Sequence, residues 1–220
     1  MPPPSPSPAP DGGYPAVRAL LSSYGLRFPP AAFVTDADTA VTEARRIGPP
    51  VVLKAMGLAH RTGAGGVALR IGGERELRAA FARMAAATGA RSYAVEAMAA
   101  PPYAVELMIG VRRDPAFGPV ALAGLGGVRA ELTPDTALGL APLTREHARD
   151  LLLSLRGAPL LRGWRGAPPV DLAGAAEALR ALSLAAAEHP EFTALEVNPL
   201  LVHPSGALAL DAHGVVGANG

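Results

Sequence analysis

A lysine at the end of an apolar run, followed by a histidine, an arginine and several glycines, is suited to holding phosphate groups. In VVLKAMGLAHRTGAGGVALR, residues 51 to 70, Lys54 closes the first run, and His60, Arg61, Thr62, Gly63, Gly65 and Gly66 precede the next. A Walker-type loop would need its lysine after the glycines and a helix behind them. Here the lysine comes first, and GGVALRI is apolar and β-branched, which predicts a strand. What remains is a long hairpin loop whose backbone N–H groups could drape over phosphate oxygens, with Lys54 as a point charge on the preceding strand. His60 has two readings, a solvated loop imidazole or a nucleophile that accepts a phosphoryl group.

A second constellation lies in TALEVNPLLVHPSGALALDAHGVV, residues 193 to 216. In an extended strand Glu196 and Asn198 share one face, while Leu195 and Val197 take the other. If His203 to Gly206 form the turn, Val202 opposes Ala207, Asn198 falls opposite Asp211, and Glu196 falls opposite His213. Opposed side chains on one face have Cβ atoms roughly 4.5–5.5 Å apart, within reach of one hard cation. Carboxylate plus amide, with no cysteine, suits Mg²⁺ better than zinc. The alternative is a solvated hairpin with ordinary polar residues on its outer face. GLGGVRAEL is similarly open: Gly124, Gly126 and Gly127 mark a strand corner or a close approach to ligand, with Glu131 beside it.

The elements that must position these residues follow from periodicity and punctuation. Val17, Leu20, Leu21 and Tyr24 predict a helix stopped by Gly25. A strand AAFV, an N-cap at Thr35 or Asp36, a helix to Ile47 ended by Gly48 and a buried strand VVLK come next. After the basic loop the pattern predicts strand GVALRI, helix ERELRAAFARMAAATG, strand SYAVEAM, a Pro101-Pro102 break and strand YAVELMIG. PVALAGLGGVRAEL reads as two short strands about a glycine corner, TREHARDLLLSL and DLAGAAEALRALSLAAAEH as helices, and the second constellation as a closing hairpin. Helices and hairpins mixed in this way predict an α+β fold. The expected organisation is a disordered Pro-rich lead-in over 1–13, a first lobe over 14–98 and a second over 99–220.

The chain has 220 residues, half of them hydrophobic, enough for a sizeable core without staples. It contains no cysteine, which excludes a thiolate nucleophile and Cys-ligated zinc and fits a soluble intracellular protein. A net charge of +1 lacks the footprint of a nucleic-acid binder. No apolar stretch approaches the roughly 20 residues that span a bilayer, so the expectation is cytoplasmic.

The order of motifs is more specific than any one of them. HRTGAGGV, VEAM, ELMIGVRRDPAFGPV, GLGGVRAEL, LRGWRGAPPVD, LEVNPLLV and GALALDA together resemble the ATP-grasp subunit of ADP-forming acyl-CoA (acetyl-CoA) synthetases, in the superfamily of succinyl-CoA synthetase. The resemblance runs from about Tyr14 to Val216. It implies an ATP-grasp fold, two α+β lobes with the nucleotide cleft between them, and ATP or ADP with Mg²⁺ as cofactors. It also implies a separate CoA-binding subunit, through which acyl-CoA, acid and phosphate enter, and a histidine that relays the phosphoryl group. Carried over, His60 would be the relay histidine, Lys54 would neutralise nucleotide phosphates, and the loop from His60 to Gly66, with Arg61 and Thr62, would cover them. Glu96, Ala97 and Met98 would form the adenine-side hinge, and Glu106 would lie at the ribose end or hold Lys54. Asn198 and Asp211 would hold Mg²⁺, with Glu196 in support. The chain departs from the family in having Arg61 for a lysine, and Gly139 and His213 for cations. Those departures motivate a second expectation, a degenerate ATP-grasp module that binds nucleotide without catalysis.

Overall fold

The computed structural model describes residues 13–57, 65–127 and 135–217. They fall into two units, one of Pro29–Ala100 and the other running from Pro101 onward together with the N-terminal segment up to Phe28. Helix α1 (Tyr14–Ser23) belongs to the second.

The first unit contains β1 (Ala31–Val34), α2 (Ala37–Ile47), β2 (Val51–Ala55), β3 (Val67–Ile71), α3 (Glu74–Thr88) and β4 (Tyr93–Ala97). Its antiparallel sheet has the order β1-β4-β2-β3. Asp36 caps α2 by accepting the Thr39 N–H at 2.8 Å, and Gly48, at φ +94°, ends it. One sheet face, with Val51, Leu53, Ala55, Tyr93 and Val95, packs against Val41 of α2 and Leu77 and Met84 of α3. Strand alternation sends Val52, Lys54, Ala94 and Glu96 to the opposite face.

The second unit continues with β5 (Val105–Asp114), β6 (Gly118–Leu125), β7 (Thr136–Leu140), α4 (Arg145–Leu153), α5 (Ala158–Leu161), α6 (Leu172–Glu188), β8 (Phe192–His203), β9 (Gly206–Ala209) and β10 (Ala212–Val216). The sheet order is β10-β8-β5-β6-β7, with β9 beside β8. Helix α6 covers one face of this sheet, contacting β5, β6 and β8. Its buried side includes Ala175, Leu179, Leu182 and Ala186, and the alanines let the helix lie close to the strands. Asp171 caps it by accepting the Gly174 N–H at 2.8 Å. Asp171→Ala is expected to cost about 1 kcal/mol, the usual effect of removing an N-cap, read as a lower urea midpoint with an unchanged slope.

Three results differ from the sequence expectation. Helix α1 groups with the second unit and not with residues 29–98, because it buries Val17 and Tyr14 there. A Cβ on Gly214 of β10 would lie 2.9 Å from Val17 Cγ2, and the Tyr14 hydroxyl donates to the Leu210 carbonyl at 3.5 Å. The break between the units falls at Ala100/Pro101 instead of 98/99. In addition, β6 pairs with β7, a strand the sequence pattern did not announce. The lead-in up to residue 12 and the strand expected within VRAEL lie outside the described residues. No helix among the described residues is long and apolar enough to cross a membrane.

Candidate functional site

Strands β2 and β3 form the predicted antiparallel hairpin, with Lys54 opposite Val67. The Ala55 N–H donates to the Gly66 carbonyl at 2.8 Å and closes the base of the loop. Gly65, at φ +69°, adopts a conformation that favours glycine. His60, Arg61, Thr62 and Gly63 lie outside the described residues. Lys54 Nζ donates to Glu96 Oε2 at 2.5 Å, with the two side chains only 10% and 2% exposed. Glu96 lies on β4 two residues along from Ala94, the direct partner of Lys54, so the pair spans a cross-strand diagonal. The structure thus brings Glu96 to the lysine itself. The N–H groups of Ala97 and Met98 donate to the carbonyls of Pro30 and Pro50, at 2.9 and 3.0 Å. Those two amides are therefore already engaged within the protein.

The closing hairpin has the predicted register. Val202 opposes Ala207, and Glu196 opposes His213. Its turn is tighter than expected, with Pro204-Ser205 at the tip and His203 paired to Gly206. Between β9 and β10, the Asn198 N–H donates to the Asp211 carbonyl at 3.2 Å, which sets the two residues side by side. Asn198 Nδ2 donates to Glu196 Oε1 at 3.2 Å, and Asp211 Oδ1 accepts the Ala212 N–H at 2.8 Å. On the other side of β8, Leu200 opposes Leu107 whereas Val197 opposes Ile109, so β8 carries one extra residue across this interval. That bulge lies at Asn198-Pro199 and leaves the register with Asp211 undisturbed. Glu196 and Asn198 are exposed, while Leu195 and Val197 are buried. No group of three His, Cys, Asp or Glu side chains gathers to hold a metal among the described residues. The candidate set is two carboxylates and one amide, all offering oxygen, a donor chemistry that fits Mg²⁺.

Glu106 is exposed at the start of β5, and its carbonyl accepts the Gly126 N–H at 2.7 Å. A Cβ on Gly127, at φ +74°, would lie 2.6 Å from Glu106 Oε2. The glycines after β6 thus allow close approach to β5, where the sequence pattern offered a strand corner or a close approach to ligand; Glu131 lies outside the described residues. A Cβ on Gly139 would point at Leu143 Cδ2, 3.2 Å away, on the α4 side of β7. A cation there would face away from the side that carries Glu196, so its loss does not deplete that side. His213 does share that side, opposite Glu196. Sequence reasoning passed over Arg112, although strand alternation places it on one face with Glu106 and Met108.

A family model described as an ATP-grasp domain matches residues 14–216. The chain is 38% identical over 204 residues to a trans-feruloyl-CoA synthase from an unknown prokaryotic organism, aligning 89% of itself with 29% of that protein. It therefore spans less than a third of that relative's length. It is 31% identical over 207 residues to the ADP-forming acetate-CoA ligase I subunit beta of Pyrococcus furiosus, covering 90% of this chain and 88% of that one. Among solved structures, the dinucleotide-forming acetyl-coenzyme A synthetase 1 of Ca. Korarchaeum cryptofilum, in complex with coenzyme A, Ca-AMPCP and HgCl⁺, superposes with a TM-score of 0.88 at 31% identity, over 93% of each chain. Another structure of that synthetase holds coenzyme A and Mg-AMPPCP, its phosphohistidine segment pointing towards the nucleotide binding site; it superposes with a TM-score of 0.81 at 31% identity, over 94% of this chain and 93% of that one.

Proposed function

The chain belongs to the ATP-grasp domain family, and from that premise we propose that it is the nucleotide-binding subunit of an ADP-forming acyl-CoA synthetase. The reaction is acyl-CoA + phosphate + ADP = acid + CoA + ATP, with a phosphohistidine between acyl phosphate and ADP. The observation that carries this reading is the hairpin that sets Asn198 beside Asp211 and Glu196, an all-oxygen group on one strand pair. Its relatives support the chemistry: they include an ADP-forming ligase subunit of similar length and a synthetase that holds nucleotide, divalent cation and coenzyme A.

In this reading Lys54 neutralises the nucleotide phosphates, and Glu96 fixes the direction of its ammonium group. The loop from His60 to Gly66 covers the phosphates, and His60 carries the phosphoryl group. Glu96, Ala97 and Met98 meet the base, and Glu106 the ribose. Asn198 and Asp211, with Glu196, would hold Mg²⁺, which when bound neutralises charge on the phosphates. Binding of CoA and of the acyl group belongs to a second subunit or domain, in keeping with the greater length of the feruloyl-CoA relative.

The test is ATP formation by the chain mixed with its CoA-binding partner, Mg²⁺, ADP, phosphate and acyl-CoA. Mg·ADP binding with no phosphate incorporated at His60 would favour the non-catalytic module, the reading motivated by His213 in place of a permanent cation. Asp211→Ala is expected to weaken Mg·ADP by roughly 10- to 100-fold, the scale of one contact to a charged group. The same substitution should leave the weaker binding of ADP in excess chelator unchanged, as titration calorimetry would report.

A further inference from the structure

The motif RGWRGAPPVD builds a surface that the proposed nucleotide site does not include. Helix α5 is a single turn, about 6 Å long, with Arg156 before it and Arg162 after it. The chain then turns sharply, and Gly163, Arg165 and Gly166 have φ of +93°, +50° and +86°. The Ala167 N–H donates to the Trp164 carbonyl and the Val170 N–H to the Leu161 carbonyl, both at 3.1 Å, closing the loop at its tip and at its base. The Asp171 N–H donates to the His203 carbonyl at 3.0 Å and ties the loop to the β8–β9 turn. An arginine at positive φ is strained, and strain of this kind persists only where the surroundings hold it, typically at functional sites.

This fixed loop presents three arginines and a tryptophan to solvent. Arg156, Arg162 and Arg165 are exposed, and Trp164 is 54% exposed. Other arginines of the unit have acidic partners: Arg145 and Arg180 pair with Glu177, and Arg149 with Asp150. The guanidiniums of Arg156, Arg162 and Arg165 meet no carboxylate among the described residues. The acidic side chains along the same segment are engaged by backbone: Asp135 accepts the N–H groups of Arg156 and Gly157, and Asp171 that of Gly174. The result is uncompensated positive charge around a planar apolar ring, on a backbone whose shape is set before anything binds, which lowers the ordering cost of association. Tryptophan and arginine are the residue types that most often dominate interface energy, and the guanidinium fork matches a carboxylate with two parallel hydrogen bonds.

We propose that the loop around Trp164 docks an acidic segment of the CoA-binding partner, with Trp164 as anchor and Arg156, Arg162 and Arg165 as carboxylate ligands. The inference rests on the two-part organisation proposed above and names the surface at which this chain meets the other part. A protein occupant is favoured over a nucleic acid by the net charge of +1, which leaves this patch as a local feature. The relatives point the same way: one is a subunit, and only 29% of the feruloyl-CoA synthase is aligned with this chain.

Titration of the immobilised full chain with its CoA-binding partner by biolayer interferometry, beside calorimetric titration with Mg·ADP, tests the surface. Trp164→Ala and Arg162→Glu/Arg165→Glu are each expected to weaken partner binding by about 30-fold or more, the scale of an interface hot spot. Mg·ADP affinity and the urea midpoint should stay unchanged, because all three side chains are exposed. Arg75→Glu/Arg83→Glu makes the same charge change at two exposed positions of α3 and should leave partner binding as it is. Partner binding that survives both loop variants, or that falls equally in the α3 control, overturns the docking surface while leaving the proposed function in place. Loop variants that keep the partner and lose only binding to poly(dT) would assign the patch to nucleic acid and overturn it too. A wild-type chain that does not bind the partner overturns the surface together with the two-part organisation.

Discussion

Lys54→Met is expected to unfold the first unit more easily and to abolish Mg·ADP binding, whereas Lys54→Met/Glu96→Leu should recover the stability without recovering the binding. The pair is held at 2.5 Å with both side chains almost wholly removed from solvent. Removing one member of such a pair leaves a buried uncompensated charge and typically costs about 3–5 kcal/mol, whereas replacing both by apolar groups of similar volume is often neutral or stabilising. Urea unfolding of the single and double variants therefore isolates the structural effect, and calorimetry isolates the ligand effect. The cycle matters because a single substitution would lose nucleotide binding whether Lys54 meets phosphate or only braces the sheet. A double variant that binds Mg·ADP as tightly as the wild type would remove Lys54 from the nucleotide site.

The residues that repeat at strand spacing were the most legible. Alternation in LEVNPLLV separated Glu196 and Asn198 from Leu195 and Val197, and the hairpin register followed once the turn was placed near Pro204-Ser205. The turn length was misjudged, yet the register survived, because His203 paired with Gly206 keeps the same alignment as a longer loop over those residues. The bulge against β5 was not legible, since it is set by a strand some ninety positions away in the chain. The α+β class was legible from local punctuation: Gly48 and Gly89 stop helices at positive φ, and β2–β3, β5–β6 and β8–β9 are antiparallel pairs of consecutive strands.

What sequence missed depends on contacts distant along the chain. Helix α1 reads as amphipathic, but nothing in its pattern says that its buried face meets β10. Asp135 looks like an ordinary polar residue before a strand. In the fold it is buried, and its two oxygens accept the N–H groups of Arg156 and Gly157 at 2.9 and 2.7 Å. Two of the motifs that carried the family resemblance are largely architectural. In DPAFGPV, Asp114 Oδ1 accepts the Ala116 and Phe117 N–H groups and shapes the β5–β6 turn. In RGWRGAPPVD, Gly163 permits a close approach to the Ala167 carbonyl, and Asp171 caps α6. These distinctive motifs therefore have clear work in shaping the fold. Arg113, in the same stretch as Asp114, follows this pattern by donating to the carbonyls of Ala186 and Phe192. Its neighbour Arg112, one position earlier on the strand, projects to the other face.

His60→Ala is expected to leave Mg·ADP binding intact and to lower phosphoryl transfer by at least ~10⁴-fold, the scale seen when a covalent nucleophile is deleted. In the transfer from ATP, a neutral imidazole nitrogen attacks the γ-phosphorus, the bond to the β,γ-bridging oxygen breaks, and ADP leaves with that electron pair. The attacking nitrogen supplies the lone pair that forms the new N–P bond. Incubation with γ-labelled ATP and Mg²⁺, followed by alkaline and acid treatment, would read the outcome directly, because a phosphohistidine survives base and is lost in acid. Label that persists in His60→Ala would assign the carrier to another residue. Absence of label from a wild-type chain that still binds Mg·ADP would favour the reading of this ATP-grasp domain as a nucleotide-binding module.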